Sequence, residues 1–237
     1  PGQSLSSGRS GESGGPGKPR AHRLGSVSVA PLTWEFAVAG AWLMTRALST
    51  PPVIPTGSVS GAPQPVLPAA QGLQLRPWEP ADAAVFLSAY QDAEIRRWHT
   101  RRPLTEAHVR EWFDAYQQDW EREKGGHWAI ARDDGAVLGR IATRGWDFDD
   151  GVAGVAYWVL PAARGAGVAT CAVTALSAWA LAEIGFCRLY LDHSTRNHAS
   201  CRVAVKSGYL LEGTKRSAAV HDDGRHDMHL HARIRQD

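Results

Sequence analysis

One junction constrains this chain more than any other feature. The apolar stretch Gly154-Val-Ala-Tyr-Trp-Val-Leu-Pro161 has the look of a buried strand and stops at a proline. Ala162-Ala-Arg164-Gly-Ala-Gly-Val-Ala-Thr170 follows at once. Beyond it Val173, Leu176, Ala180 and Ile184 share one helical face, which predicts a long helix over 165–184 ended by Gly185. A strand, a two-glycine turn and a helix in direct succession require a sheet with a helix folded back on it. Gly165 and Gly167 let the backbone approach a ligand without a Cβ in the way. The head of the helix offers unpaired N–H groups and the positive end of its dipole, and Arg164 adds a permanent cation. Together they suit a pyrophosphate.

The surrounding pattern sets the rest of the fold. Strands are predicted at 73–77, 127–132, 137–146, 152–160, 187–192, 209–213 and 227–234. Asp133-Asp-Gly135 and the turn at 147–151 have tight-hairpin chemistry. Helices are predicted after Glu79-Pro80 and from Thr105, where Val109, Trp112, Phe113, Tyr116 and Trp120 form one face. Another is expected over 197–207, stopped by Gly208. The expected class is mixed α/β: a mostly antiparallel meander feeding a βαβ unit, with flanking helices.

Composition separates a leader from this domain. Residues 1–70 hold 10 of the 14 Pro, 10 of the 24 Gly and 10 Ser. They carry five basic and two acidic residues, a balance of +3, against 21 basic and 22 acidic, or −1, for the remainder. Such a segment buries too little apolar surface to offset its ordering entropy, so 1–71 is expected to be mostly disordered, with a linker over about 49–70. The nine-residue apolar run ending at Met44 is too short to span a membrane; it suits a signal-peptide core only in an unusually long leader. With only Met44 and Met228 in the chain, native translation is expected to begin at Met44, leaving 1–43 upstream of it. The domain proper is expected at 72–237. A net charge of +2 excludes a strongly basic nucleic-acid binder, and three Cys exclude a disulfide framework.

Several ligands compete for the glycine turn. A P-loop signature is absent. A dinucleotide fold wants a third glycine where Thr170 stands, although Asp192 lies at a tolerable distance to hold a ribose. A helix start that binds nothing also fits.

Three motifs in order carry a resemblance. Arg164-Gly-Ala-Gly-Val-Ala169 resembles the R/Q-x-x-G-x-G/A signature of the GCN5-related N-acetyltransferases, the GNAT superfamily. The strand 154–161 resembles the one that the family places before this turn. Asn197-His-Ala-Ser200 and Lys206-Ser-Gly208-Tyr-Leu-Leu-Glu-Gly213 resemble its N-x-x-S and K-x-G-[FY]-x-x-E-G segments. The branch most similar is that of the ribosomal-protein N-terminal acetyltransferases, and the resemblance covers about 72–235.

The resemblance implies acetyl transfer from acetyl-CoA to an amine, in a ternary complex and without a metal. It implies that Gly165, Ala166, Gly167, Val168, Ala169 and Thr170 hold the pyrophosphate, with Arg164 beside them. Trp158, Val159 and Leu160 would pair with the pantetheine arm, which enters between two splayed strands. Asn197 would contact the cofactor, a role open alongside that of helix N-cap. Ser200 would protonate the leaving thiolate; a helix serine facing solvent is the plainer alternative. The family's usual carboxylate position falls on Ala219, so the general base is missing; Glu94, His99, Asp147 and Asp149 are substitutes. An α-amine, with a pKa of about 8, needs less help than a lysine at about 10.4, which favours a protein or peptide N-terminus as acceptor. A small-molecule amine and a catalytically silent acyl-CoA-binding module are the alternatives. Trp98, His99, Arg101 and Arg102 are candidates for the acceptor groove. Cytoplasmic location, no nucleic-acid or membrane partner, and a homodimer complete the expectations.

Two further groups read as structural. Asp227, His229 and His231 share one strand face, but without ligands from a second segment a polar face is the better reading. Cys201, next to Ser200, lacks a visible base for covalent chemistry.

Overall fold

The computed structural model describes residues 50–236. Contacts divide the chain into two units, 1–47 and 48–237, and the fold below is that of the second. The expectations for 1–43, the start at Met44 and the apolar run before it lie outside the described residues.

Eight strands form one sheet: β1 (Leu67–Ala69), β2 (Leu73–Pro77), β3 (Gly125–Arg132), β4 (Val137–Asp147), β5 (Val152–Val159), β6 (Arg188–Ser194), β7 (Leu210–His221) and β8 (Gly224–Ile234). Their order is β1-β2-β3-β4-β5-β6-β8-β7, antiparallel throughout except for β5 against β6. The helices are α1 (Ala83–Ala89), α2 (Ala93–Trp98), α3 (Glu106–Glu121), α4 (Val168–Trp179) and α5 (His198–Lys206). This is the mixed α/β arrangement expected, with β5-α4-β6 as its βαβ unit.

Each sheet face has its own core. Leu75, Trp128, Ile141 and Val155 meet Val173 and Leu176 of α4. On the opposite face Phe86, Tyr90, Ile95 and Val109 from α1–α3 pack on Trp158, with Trp112, Phe113 and Tyr116 beside them. The Thr105 side chain caps α3 by accepting from His108 N at 3.2 Å.

Four expectations are corrected. The segment read as a disordered linker packs against the domain over 53–69. Ile54 and Val59 are 2% and 5% exposed, Ile54 N–H donates to Phe148 O at 3.0 Å, and β1 pairs with β2. Proline, glycine and serine set its composition, but Ile54, Val59 and Leu67 are buried, while Val53 and Val66 stay exposed. One carboxylate collects its amides: Glu123 accepts from Gly57, Val59 and Ser60 at 2.8, 2.8 and 3.1 Å. Burial pushes that carboxyl up, yet the three backbone bonds outweigh it and hold its pKa below the ordinary value. Glu123→Gln is therefore expected to destabilise the protein by about 2–3 kcal/mol, as hydrogen bonds to a charged group are lost, read as a lower urea midpoint. Because the folded pKa is lowered, this stabilisation is present above the unfolded carboxylate range and fades as pH falls through the folded pKa.

The second correction is the long helix. Its α-helical part is Val168–Trp179, and Ala180–Ile184 forms a π-helical turn ended by Gly185 at φ 97°. The third is β7, which continues through 214–221 although that stretch does not alternate. It bulges at 211–213 and 215–219, with Ser217 at φ 49°, and is exposed along almost its whole length. Pairing with β8 holds it, so periodicity carries no signal there. The fourth is β8, which starts at Gly224 rather than 227.

One buried imidazole links the fold to pH. His127 stacks on Tyr116 with ring centroids 3.8 Å apart and lies 3.2 Å from Asp119 Oδ2. Burial drives its pKa down to about 4, against the pull of Asp119. The unfolded chain therefore binds the extra proton between about pH 6.5 and 4. Stability should be greatest above that window and fall across it, and His127→Gln should flatten part of the slope in urea midpoints taken from pH 7.5 down to 4.5.

Candidate active site

The site begins where two strands part. β5 pairs with β4 along its length, but with β6 only at Val152, Ala153 and Gly154. Beyond Gly154 the two strands diverge. Leu160 N–H donates to Leu138 O of β4 at 2.8 Å. By strand alternation the N–H groups of Val159 and Tyr157 then point off the other edge, into the gap. A cavity of about 460 Å³ opens there.

The glycine turn forms one wall. A 3-10 turn, Pro161–Ala163, leads to Gly165 at φ 79° and Gly167 at φ 80°, and Gly167 is the N-cap of α4. A Cβ on Gly165 would meet no protein atom within 4 Å, so backbone conformation rather than crowding requires glycine there. Among the described residues, no N–H from Gly165 to Thr170 donates to a protein group; Cys171 N is the first to do so, to Gly167 O. These donors at a helix N-terminus make an anion cradle.

The cavity borders on Trp158, Val159, Arg164, Gly165, Gly167, Val168, Ala169, Thr170, Asn197 and Ser200, bringing together residues from two distant motifs. Leu160 and Ala166 do not border it. Leu160 packs into the core under α1–α3 and turns its N–H to β4, while Ala166 is exposed at the apex of the turn. Trp158 has its ring in that same core.

Arg164 does not project as a free cation. Its guanidinium pairs with Asp92, the N-cap of α2, at 2.5 Å, and its Nε donates to Val159 O at 3.3 Å. It fastens α2 to the turn. Among the described residues, the cations that border the cavity unpaired are Arg202 and Lys206, exposed on the face of α5 that also presents Ala199 and Val203. Their i, i+4 spacing after Asn197 was the available signal for them.

Ser200 has a partner the sequence did not indicate. Its Oγ lies 2.9 Å from the Tyr157 hydroxyl. Burial pushes the Tyr157 phenol up to about 12, against the lowering effect of Ser200, so it stays protonated at neutral pH. Asn197 acts as N-cap of α5: its side chain accepts from Ser200 N at 3.0 Å and so fixes the turn carrying Ser200.

The substitutes for the missing base divide. Glu94, Trp98 and His99 border the cavity, and Glu94 Oε2 accepts from Trp98 Nε1 at 3.4 Å. Burial, with Arg140 and Arg144 adding to it, lowers the His99 pKa to about 4, so the ring is neutral near pH 7. Asp147 and Asp149 lie at the β4–β5 turn, away from the cavity. Ala219 sits opposite His226 in the β7–β8 ribbon. Arg102 is held by Asp222 and by the carbonyls of Arg96 and His99, and Arg101 does not border the cavity. Asp192, the candidate ribose ligand, is paired with Arg144 and Lys215 at 2.9 and 2.8 Å instead.

Comparison with known proteins agrees with this geometry. The family profile described as an acetyltransferase (GNAT) domain matches residues 73–210. The chain belongs to that family and is an N-acetyltransferase. A search of curated proteins finds no match. Among solved structures, one similar fold is RimL, a ribosomal L7/L12 alpha-N-protein acetyltransferase in complex with coenzyme A. It has a TM-score of 0.67 at 18% identity over 72% of this chain and 98% of that one. Ribosomal-protein-S5-alanine acetyltransferase from Vibrio fischeri gives 0.67 at 15% over 73% and 98%. Mycobacterium smegmatis RimJ in complex with CoA-disulfide gives 0.65 at 19% over 72% and 86%. At these identities the likeness is one of fold. No helix among the described residues is long and apolar enough to cross a membrane.

Proposed function

We propose that the protein transfers acetyl from acetyl-CoA to the α-amine of a protein or peptide N-terminus, by direct attack in a ternary complex. The observation that carries this reading is the convergence of the unpaired N–H groups at the head of α4, the free edge of β5 and the Tyr157–Ser200 pair on one cavity. The pyrophosphate rests on the amides of 165–170, with Arg202 and Lys206 supplying the positive charge that Arg164 directs to Asp92. The pantetheine arm follows the β5 edge, and the N–H of Val159 or Tyr157 faces the thioester oxygen as charge builds on it.

The neutral amine attacks the carbonyl carbon, a C–N bond forms, and the C–S bond breaks. The CoA sulfur takes the Ser200 proton, Tyr157 returns one to Ser200, and Tyr157 regains its own from solvent as the thiol leaves, balancing the proton that nitrogen releases. The proton lost by nitrogen passes to Glu94 or to water at the mouth. His99, with a pKa near 4, is held as a neutral ring far less basic than a free imidazole and serves to orient the amine.

With this weak base set, an α-amine should be acetylated at least about tenfold faster than a lysine side chain at pH 7.5, since about a fifth to a third of it is already neutral. Thiol release across a panel of N-terminal peptides, lysine peptides and small amines tests this. A clear lysine preference would overturn the choice of acceptor, and cofactor binding without turnover on any amine would favour a silent module.

A further inference from the structure

A second constellation lies on the sheet face beneath α5. His193 on β6 stands directly opposite His229 on β8, and His231 lies two residues further on the same face. Cys201 on α5 closes the group, its Sγ 3.8 Å from His231 Nε2. One donor atom from each of the four lies within 4.8 Å of all the others. The face read from sequence as merely polar thus receives ligands from two further segments, β6 and α5, while Asp227 is directed elsewhere, accepting from Ser217 N.

Four features distinguish this group from a satisfied histidine cluster. His193 and His231 are 6% and 0% exposed. His193 Nε2 and His229 Nδ1 are buried without a hydrogen-bond partner, which is costly for a polar atom unless something else takes its lone pair, and His231 turns its Nε2 to Cys201. His193 Nδ1 is 2.8 Å from Ser194 O. Donation to that carbonyl fixes the tautomer that leaves Nε2 as a bare lone pair, the arrangement by which metal-binding imidazoles are oriented. The His193 and His231 rings also stack, with centroids 5.2 Å apart and planes 24° from parallel, which two imidazolium ions would resist.

We infer that His193, Cys201, His229 and His231 form a structural site for a divalent transition ion of the zinc class, clamping α5 to β6 and β8. Three imidazoles and one thiolate are a tetrahedral zinc donor set. With Zn–N of about 2.0 Å and Zn–S of about 2.3 Å, tetrahedral ligand atoms are spaced by roughly 3.3–3.5 Å. The 3.8 Å separation is already close, and small side-chain rotations bring in the rest. On binding, the Cys201 proton leaves to solvent, a metal–sulfur bond forms, and three neutral imidazoles donate lone pairs. Because Cys201 follows Ser200, the ion would also hold the first turn of α5. The site does not depend on the proposed acceptor or on acetyl-CoA binding.

Cobalt provides the test. The full chain, treated with chelator and titrated with Co²⁺, should bind one equivalent and show tetrahedral d–d bands with a thiolate-to-cobalt charge-transfer band. Cys201→Ser should abolish that band, and His231→Ala should weaken binding at least about 100-fold, whereas Cys187→Ser should leave both unchanged. Failure to bind one equivalent, or a thiolate band that survives Cys201→Ser, would overturn the site. If Cys201→Ser does not fold, iodoacetamide labelling of the wild-type chain replaces it. Zn²⁺ should protect Cys201 and not the exposed Cys187; equal labelling with and without Zn²⁺ would overturn it equally.

Discussion

Replacing Gly167 with valine is expected to lower kcat/KM for acetyl-CoA by about 100-fold or more. Gly167 is at φ 80° and caps α4. A β-branched residue there is strained by at least about 1–2 kcal/mol, and the chain would relieve it by turning amides of the cradle away from the phosphates. A Cβ at this position meets nothing nearer than Gln71 Nε2, at 3.7 Å, so the fold itself should survive. Gly165→Ala sharpens the test, because its Cβ points into open space. Its stability cost should be no more than the left-handed backbone penalty, of order 1 kcal/mol. Any loss of affinity well beyond that arises where the cofactor would lie. Comparing urea midpoints with KM for acetyl-CoA in both variants separates the two effects.

Ser200→Ala should lower kcat by roughly 10–30-fold with KM for acetyl-CoA changed less than about twofold. A positioned acid gives about 100-fold or more where the leaving group is poor, but a thiol of pKa near 8.5 needs less. Tyr157→Phe should fall in the same range, since its hydroxyl is 2.9 Å from Ser200 Oγ. The double variant should be scarcely worse than the poorer single one, as expected for two groups in one relay. The pH profile gives an independent readout. Activity should rise from pH 6 to about 8.5 as the acceptor amine loses its proton. It should not fall again by pH 9.5, because Tyr157, raised to about 12, still holds its proton there. A descending limb near pH 8.5 would point to a different acid.

Legibility in the sequence followed physical type. The meander and the βαβ unit were readable because 127–160 alternates or runs apolar between Asp-Gly turns, and because an apolar face follows the two glycines. β1 and the packed segment around Ile54 were not readable. The order of the Ile54 segment comes from long-range partners, Phe148 and Glu123, and β1 folds back on the adjacent β2 but is only Leu-Pro-Ala, too short to carry a pattern. The far half of β7 does not alternate and is held by its hairpin partner β8, so periodicity carries no signal there. In the site, residues with a local motif were found together: the turn, Asn197 and Ser200. Tyr157 was missed because a tyrosine in an apolar strand reads as core, and only the divergence of β5 from β6 brings it to Ser200. Arg164 reads as a phosphate cation from its place beside the glycine turn and from the family signature, and its partner Asp92 lies 72 residues away. The histidines could be grouped only once the register of β6 on β8 was known.

The gap between β5 and β6 is proposed as the acetyl-CoA site. Titration calorimetry of the full chain with acetyl-CoA tests it most directly. One site per chain is expected, lost or weakened at least about 100-fold by Gly167→Val and retained in Ser200→Ala. No binding by the wild-type chain, or binding that Gly167→Val leaves intact, would contradict it.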